Sequence, residues 1–144
     1  LRELIAEHGW PTEEIAGKDG AEAAWFITQH AIGEPDFQRS VLNLQAAAGK
    51  VPDWHAAYLE DRIAMQEGRP QRFGSQWMDD PRDGLIRPWK LADPENVNSL
   101  RASVGLDPLR AIPKPGPELS DEEQRRLREN QRCWEEWLAS KGWR

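Results

Sequence analysis

Asp61, Arg62, Gln71 and Gln76 bring a carboxylate, a guanidinium and two carboxamides within sixteen residues. Asp61 belongs to the series Trp54, Tyr58, Asp61 and Met65, whose steps of four, three and four place one row on a helix surface. A carboxylate in so apolar a row must be paired or hydrogen-bonded, because burying it bare is costly. Earlier in the chain, Gln29 and His30 extend the apolar run AEAAWFITQHA, where His30 shares a face with Ala23, Phe26 and Ile27. If these groups meet, Asp61 and His30 are the candidates for general acid and base. Arg62 would hold an anionic group, and Gln29, Gln71 and Gln76 would orient a ligand through amides that both donate and accept. Trp25, Trp54 and Tyr58 would wall the pocket. The same residues admit a structural reading: Asp61 hydrogen-bonds loop amides, Arg62 is a buried partner, and His30 is a satisfied core histidine.

Other chemistries have thinner support. His8, His30 and His55 are not spaced as ligands on one helix, HExxH is absent, and no metal or cofactor is expected. His8 reads as a helix C-terminal residue and His55 as a surface or rim residue. The single cysteine, Cys133, excludes an internal disulfide and reads as a small packing residue. Ser75 lies in no GxSxG context, and there is no glycine-rich phosphate loop.

The elements that must position these groups are helices. Leu1–Glu7 reads as one, stopped by Gly9 and Pro11. Gly17–Gly20 reads as a turn, with Asp19 as N-cap of a helix over Ala21–Ala31 that is apolar nearly all round and therefore expected at the centre of the fold. Phe37, Val41, Leu44 and Ala48 form the inner face of a third helix, and Pro52 opens a fourth that runs to about Gln66. Residues 73–77 and 85–91 flank Asp80-Pro-Arg-Asp-Gly84; they are read as extended loop, with a short hairpin as the alternative. Asp93-Pro94 opens a further helix with Val97, Leu100 and Val104 inward. Pro113–Pro117 is a stiff linker. Ser120-Asp-Glu-Glu123 is a capping box for a last helix to about Ser140, striped by Leu127, Trp134, Trp137 and Leu138. The expected architecture is all-α or nearly so, with five or six helices and one irregular central connection. A helical core spans 1–112, a linker 113–119, and an amphipathic helix 120–144 packs on the core or serves a homodimer.

A chain of 144 residues suits one domain with a real core. Its hydrophobic content of 38% is modest, and eight tryptophans offset it. The formal charge of −6 and a pI of about 5.1 argue against nonspecific nucleic-acid binding and against an anionic membrane surface. Fourteen of the nineteen basic residues are arginine, the better residue for fixed, forked pairing. No apolar run approaches a membrane span and none has the form of a secretory leader, so a cytoplasmic protein is expected.

The segments AEHGWP, DGAEAAWFITQHA, FQRSVL, YLEDRIAMQEGRPQRFGSQW and DPENVNSLRASVGLDPL together resemble a bacterial domain family of unknown function. Its members show QH on an early helix, then DR followed by EGxPQxYGTQ. This chain carries Phe73 and Ser75 where that pattern has Tyr and Thr, so any acid–base role at position 73 loses its hydroxyl. The resemblance covers about Leu1–Leu109, implies the same element order, and supplies no activity. The function expected from the residues is binding of a small polar ligand, with cofactor-independent hydrolysis or group transfer as its catalytic form. The alternative is a non-catalytic, acidic protein-interaction or immunity-type domain.

Overall fold

A computed structural model describes all 144 residues. Six helices make up 56% of the chain, with one small antiparallel sheet. They are α1 (Arg2–His8), α2 (Glu13–His30), α3 (Pro35–Ala48), α4 (Asp53–Gln66), α5 (Val97–Ser103) and α6 (Asp121–Ser140); strands β1 (Trp77–Asp79) and β2 (Ile86–Pro88) lie between α4 and α5. The protein is therefore mostly helical but not purely all-α. No helix is long and apolar enough to cross a membrane.

Helices α3 and α4 form the centre. Pro35 starts α3, where its missing N–H costs nothing, and Gly49 ends it in the left-handed conformation at φ 64°. Phe37 and Val41 from α3 meet Leu59 and Ile63 from α4 in a core cluster completed by Trp10, Ala24, Leu138 and Trp143. The last two come from the C-terminal end. Ser120 and Glu123 form the expected capping box at the start of α6. At its far end, the Trp143 indole N–H donates to the Ile32 carbonyl (2.8 Å), and the Arg144 guanidinium donates to the Gln66 carbonyl (3.0 Å). Trp134 and Trp137 stack at 5.1 Å and remain about a third exposed, while Leu138 is buried.

Several expectations need correction. The segment read as extended loop is a hairpin: Trp77, Met78 and Asp79 pair with Pro88, Arg87 and Ile86. Its turn closes through Gly84 N–H to the Asp80 carbonyl (2.8 Å) and Asp80 N–H to the Leu85 carbonyl (2.9 Å). The expected break at Gly17 is present (φ 70°), but it is a one-residue kink joining two helical segments rather than a four-residue turn, so α2 as a whole starts at Glu13. Asp19 makes no capping hydrogen bond. Nor is α2 central: it buries Ala24, Thr28 and Gln29, whereas Phe26 and Ile27 are 58% and 51% exposed. Cys133 is exposed, not packed.

The linker is stitched to the hairpin tip. Asp83 grips the Arg87 guanidinium through two 2.7 Å bonds and also accepts from the Gly116 N–H (2.9 Å). Leu119 N–H donates to the Arg82 carbonyl (2.9 Å). From there α6 runs back beside the hairpin, with Leu127 and Trp134 across a groove from Trp77 and Ile86.

Candidate functional site

Asp61 is fully buried on α4. Its Oδ1 accepts from the backbone N–H of Arg72 (2.7 Å) and Phe73 (3.0 Å), and its Oδ2 from Ser75 (2.9 Å). One carboxylate thus gathers three amides of a single loop, which is how a buried anion is satisfied without a cation. Gln71, also fully buried, does the same for the next residues. Its Nε2 donates to the carbonyls of Gln76 (2.8 Å) and Trp89 (2.9 Å), and its Oε1 accepts from the Gln76 N–H (2.9 Å). Its backbone bridges to the chain at Lys90 and Ala92. Gly74 completes the loop with φ 68°; a side chain there would also come within 2.9 Å of Leu109 and 3.2 Å of Leu91.

The remaining residues singled out in the sequence fall into separate groups. Arg62 donates to the Gln29 side-chain carbonyl (2.8 Å), and burial pushes its guanidinium below the usual arginine range. The Gln29 amide nitrogen is buried without a partner. His30 is exposed at the end of α2, its ring 4.3 Å from Phe26, away from the Asp61 loop's hydrogen bonds. Gln76 is buried, and its Nε2 donates to the Ser75 hydroxyl (3.0 Å). Trp25, Trp54 and Tyr58 form an aromatic cluster with centroids 5.0–6.1 Å apart, all edge to face.

His55, read as a rim residue, lies inside that cluster at 5% exposure. It stacks on Trp25 at 4.7 Å and meets the edge of Trp54 at 4.0 Å. Desolvation lowers its pKa to about 4, so the ring is neutral at physiological pH.

The loop held by Asp61 and Gln71 forms one wall of a cavity of about 320 Å³, opposite Pro108, Leu109 and Arg110. Tyr58, Ser75, Arg101 and Arg110 line it. Arg101 is buried on α5, donating from Nε to the Asp107 carbonyl (2.6 Å) and from Nη1 to the Phe73 carbonyl (2.8 Å). Its Nη2 makes no hydrogen bond, and neither does the Tyr58 hydroxyl. The Ser75 hydroxyl accepts from Gln76 and keeps its own proton to give. The Arg110 guanidinium lies 3.7 Å over the Trp77 ring. No carboxylate approaches within salt-bridge distance of Arg62, Arg101 or Arg110. No carboxylate or histidine lines this cavity, and no group of three or more His, Cys, Asp or Glu side chains could hold a metal ion.

Sequence reasoning missed Arg101 and Arg110. The available signal was spacing: Arg101 falls four residues after Val97, on the face of α5 that the structure buries.

Residues 1–114 match a family of unknown function (DUF6624), and the chain belongs to that family. No curated protein and no solved structure matches it.

Proposed function

We propose that this member of a family of unknown function is a binding protein for a small anionic ligand, carried in the cavity between the Asp61-anchored loop and residues 108–110. The observation that supports it is the set of donors lining that one cavity. Tyr58 and Ser75 offer hydroxyl protons, Arg101 an unused guanidinium nitrogen, and Arg110 a whole guanidinium, with no carboxylate among them. Neither Arg101 nor Arg110 has an acidic partner, and no carboxylate lines the cavity to neutralise them. A carboxylate or phosphate would satisfy them with charge-assisted hydrogen bonds. Binding is favoured over turnover because the cavity holds no general base. On this reading Asp61 and Gln71 position the loop, Gln76 orients Ser75, and Trp25, Trp54 and Tyr58 support the wall.

The test is calorimetric titration of the whole chain with inorganic phosphate, acetate and benzoate. Tyr58→Phe removes one donor and keeps the ring, and Arg110→Gln removes the guanidinium together with its stack on Trp77. The reading expects at least one anion to bind saturably and each variant to weaken it by tenfold or more. Absence of binding by all three anions, or equal affinity in both variants, contradicts it.

A protein-interaction role is the second reading, and the exposure of Phe26 and Ile27 on α2 favours it. Aspartate substitutions at both positions would abolish partner binding under that reading and leave anion binding intact.

A further inference from the structure

A second cavity, of about 180 Å³, opens between the start of α2 and the turn joining α3 to α4. Its lining differs in kind from the first. Half-buried Trp54 contributes aromatic surface over the almost fully buried Trp10, and Glu13 and Glu22 contribute two carboxylates that make no hydrogen bond or ion pair. The one cation beside them, Lys50, is committed to Glu14 at 2.6 Å. His55 closes the inner side as a buried ring stacked on Trp25. Its burial keeps it uncharged at neutral pH, so it adds no positive charge to oppose a cation.

We propose that this cavity binds a small organic cation, an alkylammonium or quaternary ammonium group, held by the aromatic surface of Trp54, with Trp10 beneath it, and by the carboxylates of Glu13 and Glu22. An aromatic face attracts a cation through its quadrupole, and the attraction grows where water is excluded. A bare or hydrated metal ion would gain little from tryptophan, and only two unpaired carboxylates are at hand, fewer than hard cations take. The volume suits a headgroup a few heavy atoms across. The site shares no lining residue with the anion cavity, so the two proposals stand or fall separately.

The experiment is titration of the full chain with tetramethylammonium chloride, and separately with ethylammonium chloride, against sodium chloride at equal ionic strength. The indole N–H signals of Trp10 and Trp54 are followed by NMR. The expected result is a saturable shift of those two signals with one of the ammonium salts and not with sodium. It weakens at least tenfold in Glu13→Gln/Glu22→Gln, whose positions are exposed and whose melting temperature stays at the wild-type value. Linear shifts equal to those of sodium chloride would overturn the proposal. So would saturable binding of unchanged strength in the double variant.

Discussion

Replacing Asp61 should loosen one specific loop, and the size of the effect follows from its three amide partners. A hydrogen bond to a charged group contributes about 1.5–3 kcal/mol, and an orphaned buried donor costs about 1–3 kcal/mol. In Asp61→Ala the Phe73 amide is left buried and unpaired, while those of Arg72 and Ser75 are half reachable by water. The expected loss is about 3–5 kcal/mol, less than the sum because the three bonds share one anchor. Asp61→Asn is the sharper probe. Its oxygen can keep Arg72 and Phe73, but its NH₂ then faces the Ser75 N–H, donor against donor. That variant should lose about 2 kcal/mol. Urea unfolding followed by tryptophan fluorescence gives the stability, and hydrogen exchange gives the location. The amides of Arg72, Phe73 and Ser75 should lose protection first, while Leu59 and Ile63 keep theirs. An Asn variant within about 0.5 kcal/mol of wild type, a change typical of inert surface sites, would refute the anchoring role, as would unchanged exchange at the three amides.

Three further outcomes follow from the same geometry. Gly74→Ala should destabilise by about 1–3 kcal/mol, since it combines a left-handed backbone with a 2.9 Å approach to Leu109; urea midpoints measure it, and Leu109→Ala in the same chain should recover part of the loss. His55 gives an acid-sensitive term. Its folded pKa near 4 lies below the ordinary 6.5, so the unfolded chain holds the extra proton between those values. Stability from this residue is therefore complete above about pH 7 and falls as pH drops, by about 2 kcal/mol at pH 5. The difference between wild-type and His55→Phe unfolding curves at pH 7.5 and 5 isolates it; a difference that does not change with pH contradicts the burial argument. Asp83→Ala should release the linker, because Arg87 and Gly116 share that carboxylate. Hydrogen exchange at Gly116 and proteolysis between Pro113 and Pro117 should both accelerate while the α3–α4 core stays protected.

The helices were legible because their signals are local. The steps Phe37, Val41 and Leu44, proline near the start of α3 and α4, and the capping box at Ser120 all act within a turn or two. The hairpin was not legible as such. Each strand is three residues long, and what fastens its turn to the rest of the chain is the contact from Asp83 to Arg87 and Gly116, the latter thirty-three residues away. The apolar run in α2 pointed to a central helix, yet α2 buries only the face with Ala24, Thr28 and Gln29. Composition counts apolar residues without telling which side has a neighbour. His55 looked like a rim residue from its place near a helix start; only the fold shows that Trp25 covers it. The polar loop around Asp61 was found from the row it interrupts, but the row does not say which way the loop's free groups face. Arg101 and Arg110 reach the cavity from another part of the chain, and no spacing links them to Tyr58 or Ser75.

The most direct test of the anion-binding account is an amide and indole NMR titration of the whole protein with phosphate and with benzoate, at constant ionic strength. The account predicts saturable shifts centred on Gly74, Ser75, Arg110 and the Trp77 indole, lost in Arg110→Gln. Shifts confined to the α2 surface around Phe26 and Ile27, or scattered without saturation, would contradict it.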